Sequence, residues 1–210
     1  MQYFVKVNDI NGLQINDQIA NVFKYDNLKE LKKLKNANIF LNSLFILEFK
    51  EAEELFKKPR TYFLDQVKRA LFKIAKLKVM GAIIKLPVYN TEELEPFGVK
   101  TLDTIARLGE LLNLQIFIDT RENYVMDFIF TNKTKNNLFF VCDLNVGLKV
   151  NSSIKLLYFD NALFFSLNKN DQNDYLTKLT KIVSKHFLGV IFENSLKTKE
   201  LIEIIDEELS

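Results

Sequence analysis

Three carboxylates in this sequence each close an apolar run: Asp119 ends IFID, Asp143 ends FFVCD and Glu193 ends VIFE. A carboxylate at the end of a buried strand is satisfied at the open end of a sheet, where it meets solvent, a ligand or an opposite charge. Three oxygen donors meeting there would suit a hard divalent cation such as magnesium or manganese. That cation would polarise a substrate carbonyl or hydroxyl as a Lewis acid. The competing reading is that each acid caps the next helix or pairs with a neighbouring lysine or arginine. Zinc is argued against by composition, since Cys142 is the single cysteine and His186 the single histidine, too few for a Cys- or His-based cluster. Lys85, also at the end of an apolar run, is a candidate for holding the acidic end of a substrate. It could equally pair with Asp119 or reach solvent.

These residues need a scaffold that brings strand ends together. Short β-rich runs alternate with helical patterns along the whole chain, the signal of a parallel α/β sheet. Eight strands are predicted, over 3–7, 19–24, 38–47, 80–86, 114–118, 138–142, 162–166 and 188–192. Helical spacing is clearest over 61–78, where Leu64, Val67, Leu71, Ile74 and Leu77 recur every three or four residues. It recurs over 99–112, 174–186 and 197–209, with Ser195 as an N-cap candidate, and Gly81 and Gly189 stand where C-terminal helix caps fall. Strands followed by helices in 210 residues fit a compact (β/α)8 TIM barrel of one domain, with an open doubly wound sheet as the alternative. Residues 8–18 are too polar and short for a full first helix.

In a barrel the mouth is built at the carboxyl ends of the strands. Those ends supply Asn8 and Asp9, Tyr25 and Asp26, Glu48, Lys85, Asp119 and Arg121, Asp143 and Asn145, Ser166 and Asn168, and Glu193 with Asn194. Phe139-Phe140 and Phe164-Phe165 should each send one ring into the barrel and one toward the helices. Cys142 reads as an inert core thiol, and His186 as a helix C-terminal partner.

Composition narrows the function classes. Hydrophobic residues make up 48% and charged residues 27%, at a net charge of +2, which suits a folded soluble chain and gives no global field toward nucleic acid or anionic membrane. No apolar run approaches the roughly 20 residues of a membrane span. The first residues carry no secretory pattern, so a cytoplasmic location is expected. From Lys57 to Lys78 there are eight basic residues against the single acid Asp65. They could contact phosphates, but no aromatic platform interleaves them, and a solvated outer helix face explains them equally well.

The stretch YFLDQVKRALFKIAKLKVMGAIIKLP, then VKTLDTIARLGELLNLQIFIDT, then NLFFVCDLNVG, resembles the layout of the sugar phosphate isomerase/epimerase and endonuclease IV superfamily of xylose isomerase-like barrels. VIFEN resembles the family's last strand. The resemblance implies that Asp119 and Glu193 are proton-transfer groups and that Asp119, Asp143 and Glu193 hold a divalent cation; Lys85 and Asn168, from their places at strand ends, are expected to contact a small sugar or sugar phosphate. The sequence departs from the pattern in lacking the ligand histidine, with Ser166 or Asn168 in its place, and in having Val146 where a second histidine is common. Two functions follow as expectations: a sugar phosphate isomerase or epimerase, or a barrel that has lost the reaction and serves as a protein- or nucleic-acid-binding module. The first predicts a concave mouth lined by Asp119, Asp143, Glu193 and Lys85, the second a mouth plugged by apolar side chains.

Overall fold

The alternating pattern closes on itself. The computed structural model describes residues 1–7, 19–33, 37–40, 42–48, 60–86, 98–121, 138–144, 154–183, 188–194 and 197–209. Asn8, Asp9, Lys57, Asn145, Val146, His186, Ser195 and the segment 8–18 lie outside them. The strands are β1 (Gln2–Val7), β2 (Ile19–Lys24), β3 (Leu44–Leu47), β4 (Gly81–Ile84), β5 (Gln115–Asp119), β6 (Leu138–Asp143), β7 (Ile154–Phe159) and β8 (Gly189–Phe192). All pair in parallel in chain order, and β8 returns to β1 to complete a closed barrel. The helices are α1 (Leu28–Leu31), α2 (Arg60–Ala75), α3 (Gly98–Leu112), α4 (Asn161–Ser166), α5 (Lys169–Ile182) and α6 (Thr198–Leu209). This is the compact (β/α)8 TIM barrel expected from the sequence.

Strand side chains alternate between two apolar environments. Phe4, Val22, Ile83, Phe117, Leu156 and Ile191 fill the lumen. Val5, Phe45, Ile84, Ile118, Phe159 and Phe192 point outward and pack with Leu71, Ile74, Ile105, Leu201 and Ile205 of the helices. Phe139 and Phe140 divide between the two clusters as alternation requires. With the lumen filled, ionisable groups can enter it only at the strand ends.

The seventh strand is not where the sequence placed it. Residues 162–166 belong to α4, and the strand is Ile154–Phe159. The Asp160 side chain accepts from the Leu163 backbone N–H at 3.0 Å, starting a helical turn directly after the strand. Asn161 and Phe164, three apart, are the buried residues of that turn, so this apolar run follows a helical period and Phe164 and Phe165 do not straddle a sheet. The third strand is also shorter than expected, because a 3-10 turn at Ala37–Phe40 and Asn42 at φ 57° precede it. Gly81 and Gly189 open strands and do not cap helices. The left-handed residues after α2 and α3 are Lys78 and Asn113. A Cβ on Gly189 would lie 2.0 Å from the Gln2 carbonyl oxygen, and one on Gly81 2.1 Å from that of Gln115.

Gly189→Ala therefore forces apart the seam between β8 and β1, and should lower stability by about 1–3 kcal/mol, read as a fall in Tm. Alkaline pH should also unfold the barrel. Burial, then the hydrogen bond and charge of Asp206, raise the Tyr3 pKa well above its ordinary value, and burial with the charges of Asp160 and Asp143 pushes Tyr175 up to about 12. Both stay protonated in the native state while the unfolded chain ionises near about 10. Their contribution is complete below that pH and is lost as pH rises through the folded values. A Tm profile from pH 9 to 12 should fall, and fall less steeply in Tyr3→Phe.

Candidate active site

Register decides which ionisable residues meet at the mouth. Phe4 lies opposite Ile191 and Val5 opposite Phe192, so the next inward residues on β1 and after β8, Lys6 and Glu193, are neighbours. Lys6 Nζ donates to Glu193 Oε2 at 2.8 Å. Leu47 lies opposite Ile84, which sets Glu48 beside Lys85, with Lys85 Nζ donating to Glu48 Oε1 at 3.0 Å. That hydrogen bond and charge, opposed by partial burial and aided by Lys24 and Arg121, lower the Glu48 pKa below the usual carboxylate value.

The centre of the mouth is Arg121. Asp119 and Arg121 are two apart, so both lie on the inward side, while the Thr120 hydroxyl and backbone N–H between them each donate to the Val141 carbonyl at 2.9 Å. Arg121 Nη2 donates to Asp119 Oδ2 at 2.8 Å and its Nε to Oδ1 at 3.1 Å, the two-point geometry characteristic of arginine and carboxylate. The Arg121 backbone N–H also donates to Oδ1, at 3.2 Å. Across the mouth, Nη1 donates to Glu193 Oε1 at 3.3 Å. The guanidinium carbon sits 4.3 Å from the centre of the Tyr158 ring, within cation–π range, and the Tyr158 hydroxyl donates to Asp119 Oδ2 at 3.4 Å. Burial alone would weaken the guanidinium's charge, but Asp119, with Tyr158 and Glu193, more than offsets it and its pKa is raised. Burial and the Asp119 charge hold the Tyr158 pKa well above the ordinary value, so its hydroxyl remains a donor.

Among the described residues Asp143 forms no three-donor ligand group with Asp119 and Glu193. Asp119 pairs with Val141, and Asp143 lies opposite Tyr158, so the stagger of the barrel lifts Asp143 one inward step beyond Asp119. Its charge, after burial and together with Asp119, pushes the Cys142 thiol up to about 12, consistent with an inert thiol. Asn168 is the N-cap of α5. Its Oδ1 accepts from the Asp171 N–H at 3.1 Å and its Nδ2 donates to Asp171 Oδ2 at 2.6 Å. Because Ser166 lies on α4, the residue facing inward near the end of the seventh strand is Tyr158.

The donors do not fit the expected divalent cation. Among the described residues no three His, Cys, Asp or Glu side chains gather as a ligand group. Both oxygens of Asp119 and both of Glu193 accept from Arg121 or Lys6. A divalent ion sharing those oxygens would stand against two fixed positive groups. Repulsion from one unit charge at 4 Å is roughly 8 kcal/mol at an effective dielectric near 20.

No family model matches the chain, and no curated protein matches its sequence. Solved structures do. A D-psicose 3-epimerase solved in the presence of D-fructose matches with a TM-score of 0.66 at 12% identity, over 100% of this chain and 96% of that one. The D-psicose 3-epimerase of Clostridium cellulolyticum H10 with D-tagatose gives 0.62 at 11% identity, over 100% and 96%. A xylose isomerase domain protein from Planctomyces limnophilus gives 0.62 at 10%, over 99% and 96%. The chain shares the fold of these xylose isomerase-like barrels. At such identities the likeness is one of fold, and the chemistry must be argued from the mouth.

Four residues of the network were not assigned roles from sequence: Lys6, Glu48, Arg121 and Tyr158. Lys6 had a signal, as the one charge within the first strand in phase with inward Phe4. Tyr158 was hidden by the misplaced seventh strand. Among the described residues the mouth is lined by charge, and apolar side chains fill the lumen beneath it. The basic face of α2 is exposed, with Lys68, Arg69 and Lys73 around Phe72, which is 45% exposed. No helix among the described residues is long and apolar enough to cross a membrane.

Asp119 is 5% exposed and its partner Arg121 27%. Arg121→Met leaves a buried carboxylate without its cation and should cost about 2–4 kcal/mol, with much of the loss recovered in the double variant Asp119→Asn/Arg121→Met. A double-mutant cycle by urea unfolding measures the coupling.

Proposed function

We propose that the barrel acts on a small sugar or sugar phosphate at its mouth, as an isomerase or epimerase that moves a proton next to the sugar carbonyl. The observation that supports this most directly is the pair Asp119 and Glu193 held on either side of one guanidinium in a solvent-reached mouth. The two carboxylates are not equivalent. Asp119 is buried and held at two points, whereas Glu193 is joined to Arg121 by the longer 3.3 Å contact and is 25% exposed, so a ligand can separate that contact at smaller cost.

Glu193 is accordingly the first proton acceptor. It takes the proton from the carbon beside the carbonyl, the C–H electron pair becomes the double bond of an enediolate, and the carbonyl oxygen takes the charge. Arg121 has five N–H donors, and the Asp119 and Glu193 contacts engage three of its nitrogens while leaving an N–H on Nη1 and one on Nη2 for sugar oxygens. Glu193 returns the proton to the neighbouring carbon as the hydroxyl proton passes between the two oxygens, giving isomerisation. Return to the opposite face of the same carbon would give epimerisation, with Asp119 delivering a proton that its carboxylate first takes from solvent as one contact to Arg121 opens, and Glu193 releasing the abstracted proton to solvent. Lys85 at the rim, paired with a half-exposed Glu48, is the anchor for a phosphate or carboxylate, and Asn168 stands at the start of α5 on the same end of the barrel.

Incubation of the protein in D2O with a panel of ketohexoses, aldohexoses and their phosphates, followed by NMR, tests the reading. Solvent deuterium should enter carbon beside the carbonyl, and Glu193→Gln should slow it by about a hundredfold or more. Binding of sugars without deuterium entry under any condition would overturn the catalytic role and favour the barrel that has lost its reaction.

A further inference from the structure

The misfit between the mouth and a divalent cation has a positive counterpart. Resting on the reading of the mouth as a sugar site, we infer that Arg121 is a built-in cation: its guanidinium occupies the place among the carboxylates where a metal ion would bind, and the site works without one. Three independent features of the structure support this. The guanidinium is held at two points by Asp119 and bridges to Glu193, so it touches two of the three carboxylates expected to hold a metal. Its face is covered by the Tyr158 ring, the inward residue near the end of β7, so the third side of the site carries a cation-supporting surface, while Asp160 after that strand accepts from the Leu163 N–H at the start of α4. Lys6 engages the remaining oxygen of Glu193, and the four carboxylate oxygens are shared between two fixed positive groups.

The arrangement has a consequence for specificity. A metal ion accepts oxygen lone pairs in its coordination shell, and two adjacent sugar oxygens would chelate it. A guanidinium offers directional N–H donors and no vacant orbital, so it selects a planar pair of acceptors such as a carbonyl and its neighbouring hydroxyl. It also does not dissociate, so a chelator leaves the site intact.

Manganese binding, followed by the loss of the free-ion signal in electron paramagnetic resonance, tests the inference independently of any turnover. Wild type should bind no manganese at the mouth. Arg121→Met vacates the position and should bind one ion at least about tenfold more tightly than wild type, and the double variant Asp119→Asn/Arg121→Met should lose it again. Added guanidinium at low concentration should compete with manganese in Arg121→Met and raise its Tm. Stoichiometric manganese binding by wild type that disappears in Asp119→Asn would overturn the inference, as would a folded Arg121→Met that takes up neither manganese nor guanidinium. Should Arg121→Met not fold, Arg121→Ala refolded in guanidinium provides the same comparison, and the wild-type measurement stands by itself. A protein that passes this test and shows no deuterium entry into any sugar has the built-in cation and lacks the proposed reaction. One that exchanges deuterium only after manganese is added has the reaction and lacks the built-in cation.

Discussion

Closure of β8 against β1 is the constraint on which the rest of the molecule depends. It works only because Gly189 has no side chain to meet the Gln2 carbonyl, and because each strand is buried on both faces. Once the ring is closed, every strand residue faces either the filled lumen or the helical layer, and the register of one seam propagates to the next. The pairing of Phe4 with Ile191 brings Lys6 to Glu193. The pairing of Asp119 with Val141 sets Asp143 one inward step further along the barrel than Asp119. The chemistry of the mouth follows from the stagger of the sheet as much as from which residues end the strands.

At the mouth the governing problem is charge. Carboxylates on an apolar barrel end need compensation, because burial without a partner is costly and pairing is the common remedy. In this chain the compensation is internal. Asp119 and Glu193 share Arg121, Glu193 also holds Lys6, and Glu48 holds Lys85. Such a network is pre-organised, since the guanidinium is fixed by two-point pairing, by the aromatic ring below it and by the backbone turn from Asp119 to Arg121. It leaves Glu193 with the longer contact to Arg121, 3.3 Å against 2.8 Å for Asp119, and the proposed division of roles between the two acids rests on that asymmetry. The shared fold with D-psicose 3-epimerase and xylose isomerase-like barrels locates the mouth, while the cation at its centre sets this chain's mouth apart from a simple set of metal ligands.

The sequence by itself determined a parallel α/β sheet and favoured the barrel over an open doubly wound sheet, because apolar runs of strand length alternate with helical stripes; closure of β8 on β1 came from the structure. It also determined that Asp119, Glu193 and Lys85 stand at strand ends, because each follows an apolar run directly. It misled at 162–166, where an apolar run of strand length is helical because Asp160 caps it and its burial repeats every three residues. That error hid Tyr158 and left Asn168 looking like a strand end. What only the tertiary structure decided was who meets whom. Asp119, Asp143 and Glu193 look alike in sequence, but neighbouring strands are shifted along one another, so two share a guanidinium and the third sits a step higher. Arg121 was visible two residues after Asp119, yet its place between β5 and the end of β8 depends on a contact across the ring, and no local pattern encodes the distance between strands that meet only when the barrel closes.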